Sequence, residues 1–295
     1  MAMTNKKFLQ NTGTFLLFGG PSIFAFFSVI LIPFLFGLYL TLTNWDVRLG
    51  DHTFLGFANY AEVFRDKVFL TQLWFTLKYV FFTVVLANVA AFFLAFALTS
   101  GFKGQQFLRT GFFTPNLIGG LVLGYLWQLL FSQVLPYLGE KYGWTLFETS
   151  WLTDTDKGFW ALVIVSAWQF IGYLMIIYIA GFMSVRVDVL EAASIDGANG
   201  LTKIRKIILP LSAPAIVICI FISISRSFLT YDLNLALTKG GPFNSTELSA
   251  YHVVQKAFLS NEYGVGQAEA VVLFGVVAII ALTQAYFLKK LEVEE

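Results

Sequence analysis

Four residues carry the first chemical signal in the chain. Ser166, Gln169, Phe170 and Tyr173 recur at i, i+3, i+4 and i+7, which puts a hydroxyl, an amide, a phenyl ring and a phenol on one helical face. That mixture suits a ligand whose hydroxyls need hydrogen-bond partners and whose C–H faces pack on aromatic rings. Arg226 and Thr230 share a second face, with Ser223 and Ser227 close to it. Asn116 and Gly120 form a third pair, four residues apart; a glycine there lets a ligand approach the backbone. The alternative use of these side chains is structural. Ser, Thr, Asn and Gln in apolar helices also join neighbouring helices, at about 0.6–2 kcal/mol per bond. Both readings stand at this point. An arginine within an apolar segment costs about 2.5–3.5 kcal/mol on insertion scales and as a rule faces a polar interior. Arg226 could therefore bind an anionic group, pair with Asp232 further along, or fix a neighbouring helix. A cavity role ranks first, and it keeps a phosphorylated or acidic ligand in play.

Other chemistries lack their residues. No G-x-x-x-x-G-K-[ST] sequence occurs, so no backbone cradle for ATP phosphates is visible. His52 and His252 fall in connections, with no Ser or Cys arrangement to make either a catalytic base. No carboxylates line the apolar segments as a proton or sodium relay requires; Asp232 and Glu269 sit near segment ends. Cys219 is the single cysteine and lies in an apolar run, which suits a packed core thiol. A net charge of +1 gives no basic field for nucleic acid. The chain therefore reads as no enzyme and as holding no cofactor. It is either a passive pore or the partner of an engine on another chain. An ion-coupled secondary carrier is the competing class, but such carriers often show inverted repeats and coupling carboxylates, and neither is evident.

The elements that must position these residues follow from composition. The chain is 57% hydrophobic and 13% charged, against about 45–50% and 25% in soluble domains. Its apolar runs approach the roughly 20 residues that cross a bilayer core of about 30 Å. Six spans are predicted, at about 15–42, 73–99, 107–131, 159–183, 207–231 and 267–288, within a single transmembrane domain covering 1–295. Backbone groups in lipid must bond internally, and the alternation of a barrel is absent, so the fold class is all-α integral membrane. Lys6 and Lys7 precede the first run as in a signal peptide, but the run is too long for an h-region and no small-residue cleavage site follows. It reads as a retained helix. Tyr125, Trp127 and Trp168 suit packing or interface anchoring better than a sugar platform.

Cations orient the spans. One side would hold Lys6, Lys7, Lys103, Arg109, Arg186, Lys203, Arg205, Lys206, Lys289 and Lys290. The other holds Arg48, Arg65, Lys67, Lys78, Lys141, Lys157, Lys239 and Lys256 over considerably longer connections. The denser side is cytoplasmic by the positive-inside rule, which puts both termini there.

The connection 184–206 then lies on the cytoplasmic side. Val187 to Ile195 reads as a short helix, with Ala192 and Ala193 as strong helix formers. Gly197 lets the backbone leave it, and a basic piece at Lys203, Arg205 and Lys206 runs into the fifth span. Such a helix can dock in a groove on a partner or lie among lipid headgroups.

The residues here match E-A-A-x-x-x-G-x9-I-x-L-P in full, at Glu191, Ala192, Ala193, Gly197, Ile207, Leu209 and Pro210. This resembles the cytoplasmic loop of binding-protein-dependent ABC importer permeases. Leu237 to Pro242 with Thr246 looks like the external-loop signature of the carbohydrate branch. Phe54 to Tyr60, and Arg109 with Phe112, Phe113 and Pro115, fall where that branch has similar residues. The resemblance implies a type I ABC importer permease fold in a bacterial cytoplasmic membrane. It implies a second homologous permease, two ATP-binding subunits carrying ATP and Mg, and an extracytoplasmic solute-binding protein delivering a sugar. Glu191, Ala192, Ala193, Asp196 and Gly197 would be the ATPase-coupling residues. A glycerol-phosphate-like or other anionic solute is the alternative cargo.

Overall fold

The structure is a computed structural model that describes residues 14, 15, 17–46, 51–99, 101 and 103–289. Lys6, Lys7, Arg48 and Lys290 of the orientation argument lie outside these residues. The chain divides into two compact units, Met1–Asp66 with Val253–Val271, and Lys67–His252 with Val272–Glu295.

In the first unit, helix α1 (Leu17–Leu40) is apolar enough to span a membrane and exposes most of its large side chains, as a lipid-facing helix does. The strands β1 (Thr43–Asp46) and β2 (Asp51–Phe54) pair antiparallel, Thr43 with Phe54 and Asp46 with Asp51. This hairpin is a small departure from the all-helical expectation. Helix α2 (Ala58–Val63) follows. Asn59 ties it down by donating from Nδ2 to the Thr41 and Thr43 carbonyls, at 2.8 and 2.9 Å.

The second unit holds α3 (Lys67–Leu98), α4 (Gln105–Leu117), α5 (Gly120–Tyr142), α6 (Thr155–Met183), α7 (Val187–Ile195), α8 (Gly200–Leu211), α9 (Ala213–Phe228), α10 (Asp232–Leu237) and the start of α11 (Ser249–Val254). Helix α12 (Tyr263–Lys289) closes the fold. Five helices are long and apolar enough to span, and α8 with α9, bent by 73° at Ser212, makes a sixth, broken span. At 1.5 Å per residue α3 is about 48 Å long, more than the roughly 30 Å of a bilayer core. Ala87, Ala91 and Ala95 repeat every four residues along α3 and are completely buried. Small side chains at that spacing let α6 pack closely against it, the means by which helices associate in lipid.

Two sequence expectations need correction. The segment 107–131 is not one helix: Ile118 and Gly119 are extended (ψ 126° and 144°) and separate α4 from α5. Pro115, which removes a backbone donor, lies just before the break. The segment 207–231 is likewise bent rather than straight, because Pro210 and Pro214 flank Ser212 and neither can donate to the ladder. A further regularity links proline to backbone form. Three of the four wide helical turns among the described residues, Phe26–Leu31, Leu130–Val134 and Ile204–Ile208, end two residues before a proline (Pro33, Pro136 and Pro210), whereas the fourth, Gln255–Leu259, has no proline after it. A wide turn shifts the carbonyls that a proline ring would otherwise strike.

Candidate functional site

Helix α7 is one candidate region, and it is built to be exposed. None of its residues is buried, and Val187 and Ile195 stand 64% and 87% exposed. Its end is set locally. The Ala198 N–H donates to the Ala193 carbonyl at 2.9 Å and the Gly197 N–H to the Ser194 carbonyl at 3.2 Å. Gly197 has φ +79°, a left-handed conformation that suits glycine. Asn199 then caps the next helix, its Oδ1 accepting from the Thr202 N–H at 2.9 Å. Glu191 and Asp196 are exposed and form no ion pair among the described residues. The loop thus presents carboxylates and apolar side chains outward on a backbone fixed at both ends.

The second region is a cavity of about 420 Å³ lined by Gly120, Gln169, Phe170, Arg226, Thr230 and Asp232, together with Leu229, Tyr231 and Leu233. Arg226 organises it. Its Nη1 donates to Asn116 Oδ1 at 2.8 Å, and its guanidinium lies over the rings of Tyr173 and Phe170, at 5.2 and 5.7 Å from their centroids. Three helices therefore meet at one cation: α4 through Asn116, α6 through the two rings, and α9 through Arg226 itself. Asp232 lines the same cavity, but Arg226 is bonded to Asn116 instead. The pairing weighed from sequence does not form.

The sequence-predicted path residues separate here. Asn116, Gly120, Gln169, Phe170, Tyr173, Arg226 and Thr230 come together around this cavity. Ser166 does not. It is buried and accepts a hydrogen bond from Tyr79, whose hydroxyl also reaches Thr230 Oγ1 at 3.3 Å. Ser227 is completely buried, and its hydroxyl has no hydrogen-bond partner among the described residues. Ser223 is taken by Asn88 at 2.9 Å, and Asn88 in turn by Tyr178 at 2.8 Å. Gln169 has a divided role, since its amide donates to the Ile118 carbonyl at 3.0 Å and ties α6 to the break between α4 and α5. The reason for Gly120 is also different from ligand approach. A Cβ there would come within 2.9 Å of Asp232 Cβ, and one at Gly124 within 2.5 Å of Ala236 Cβ. These glycines let α5 and α10 touch, which brings Asp232 to the cavity.

Sequence reasoning did not single out Tyr79, although Gln72, Thr76, Tyr79 and Thr83 fall on one face of α3 and are all buried. That stripe was the available signal. The Leu237–Pro242 motif also has a structural use: Thr246 Oγ1 donates to the Gly241 carbonyl at 2.6 Å, and Asn234 bonds both the Thr246 carbonyl and the Leu248 N–H at 2.9 Å. Trp127 and Trp168 pack edge to face at 5.4 Å.

Comparisons with known proteins bear on both regions. Residues 87–292 match the family model described as "Binding-protein-dependent transport system inner membrane component". The chain is 40% identical over 290 residues, 98% of each protein, to the "Probable starch degradation products transport system permease protein AmyD" of Thermoanaerobacterium thermosulfurigenes. It is 31% identical over 261 residues to the "Multiple sugar-binding transport system permease protein MsmF" of Streptococcus mutans, covering 88% of this chain and 90% of that one. Among solved structures, a chain of a bacterial ABC transporter involved in import of the acidic polysaccharide alginate superposes with a TM-score of 0.83. It covers 96% of this chain and 99% of that one at 18% identity, a likeness of fold. The chain belongs to the binding-protein-dependent transport system inner membrane components, the membrane-spanning permease subunits of ABC importers.

Proposed function

We infer that this permease carries a sugar through the cavity at Arg226. The observation that bears most weight is the convergence of Arg226, Asn116, Gln169, Phe170 and Tyr173 from three helices on one polar and aromatic recess. Its volume lies within the range of about 300–1,000 Å³ usual for ligand sites. The names of the two sugar-system relatives support the same cargo. Energy comes from ATP and Mg on a pair of partner subunits, and a second homologous permease and an extracytoplasmic solute-binding protein complete the assembly. Both termini and α7 lie on the cytoplasmic side of a bacterial membrane, where Glu191, Ala192, Ala193, Asp196 and Gly197, all but the half-buried Ala193 exposed, meet the ATPase. Closure of the ATPase pair would move α7 as a rigid piece and reverse the access of the cavity.

The test is the source of energy. In vesicles holding the complete importer, sugar uptake should require ATP hydrolysis and survive collapse of the proton gradient while ATP is maintained. Accumulation by this chain alone on a proton or sodium gradient would favour an ion-coupled carrier instead.

A further inference from the structure

Arg226 and Asp232 are the charged side chains that line the cavity, so its formal charge cancels. The guanidinium already has Asn116 at one edge and aromatic rings against its face, while the Asp232 carboxylate makes no hydrogen bond or ion pair with another described residue. A guanidinium only donates hydrogen bonds and a carboxylate only accepts them. A ligand that satisfies both must accept at one point and donate at another. Sugar hydroxyls do both. A uronate or a phosphate ester offers its strongest group as an acceptor alone, and Asp232 opposes that charge as much as Arg226 attracts it.

We propose that the cavity selects uncharged sugars over acidic or phosphorylated ones, with Asp232 as the residue that sets this preference. The inference rests on the cavity being the sugar path and goes beyond it by naming the charge class of the cargo. The glycine contacts at 120 and 124 support it, because they hold the first turn of α10, and with it Asp232, against α5.

The experiment is titration calorimetry on the assembled permease pair and ATPases, without binding protein, using maltotriose and trigalacturonic acid as probes. The wild type should bind maltotriose with an affinity insensitive to ionic strength and bind the acid more weakly. Asp232→Asn should weaken maltotriose about tenfold, as expected for losing hydrogen bonds to a charged group. It should also gain binding of the acid that fades as salt screens the uncompensated arginine. Asp232→Glu, which keeps the charge, should retain the wild-type preference, and it carries the test with the wild type if the Asn variant fails to assemble. Preference of the wild type for the acid would overturn this inference and leave sugar transport standing. Unchanged binding of both probes in Asp232→Asn would do the same. A wild type that binds neither probe overturns the inference together with the sugar path.

Discussion

Helix α7 and the Arg226 cavity use polar residues in opposite ways. On α7 no side chain is buried, and its backbone form is settled by residues within a few positions of each other. Around Arg226 three of the polar groups are also structural ties: Asn116 is held from α9, Gln169 holds the Ile118 carbonyl, and Thr230 is bonded to Tyr79. A substitution on α7 should therefore change what the helix touches without changing the fold. A substitution in the cavity should change both.

The largest effect is expected on α7. Gly197→Val forces a β-branched residue into a left-handed conformation, at about 1–2 kcal/mol, although a Cβ there would meet nothing within 4 Å. Glu191→Lys reverses the charge offered to the partner. Both should reduce ATP-driven uptake to background while the melting temperature of the isolated chain shifts by little. Wild-type uptake in either would break the contrast.

The cavity should respond next. Arg226→Met removes the guanidinium that would donate to a sugar hydroxyl, so sugar affinity should fall roughly ten- to a hundredfold, from about 1.5–3 kcal/mol for a hydrogen bond to a charged group. Assembly should weaken as well, because Asn116 loses its partner. Tyr173→Ala should cost less, about 0.5–1.5 kcal/mol for one neutral hydrogen bond to the sugar, read as a rise in the concentration for half-maximal uptake. Gln169→Ala sharpens the comparison. If the tie to Ile118 is its main work, the yield of assembled complex drops along with uptake. Loss of uptake with full assembly would make Gln169 a sugar contact alone.

The form of the α7 loop was legible because its information is contiguous: Glu191 to Gly197 and Ile207 to Pro210 lie in one stretch, and Gly197 announces the helix end. Most of the cavity was half legible. Periodicity found Gln169, Phe170 and Tyr173 on one face, but that face also holds Ser166, and only the position of Tyr79 on α3 turns Ser166 into a helix tie. Asp232 was noticed as a partner for Arg226, yet its place in the cavity depends on α5 and α10 touching through Gly120 and Gly124, a long-range fact. The break at Ile118 and Gly119 was hidden because the surrounding residues keep enough apolar character to read as one span.

The smallest predicted effect lies in the first unit. Lys256 bonds Glu262 at 2.9 Å and lies 3.6 Å from Asp66. Burial works against its charge, but Glu262, Asp66 and Glu269 outweigh it and raise its pKa above the usual lysine value. A raised cation stabilises the fold fully below its unfolded pKa of about 10.4 and loses that contribution as pH climbs through the higher folded value. Lys256→Met should therefore melt slightly earlier than wild type at neutral pH, with the gap closing only in strong alkali. A gap that closes near neutrality would contradict the assignment.

The most direct test of the central claim is cysteine accessibility along α6 in a Cys219→Ser background. Cysteine at 169 or 173 in the complete importer should react with a small aqueous thiol reagent and be protected by transported sugar. Cysteine at 166 or 167, where the native residues are 1% exposed, should stay unlabelled. Equal labelling at all four positions, or labelling at 169 and 173 that sugar leaves unchanged, would mean that the sugar does not pass Arg226.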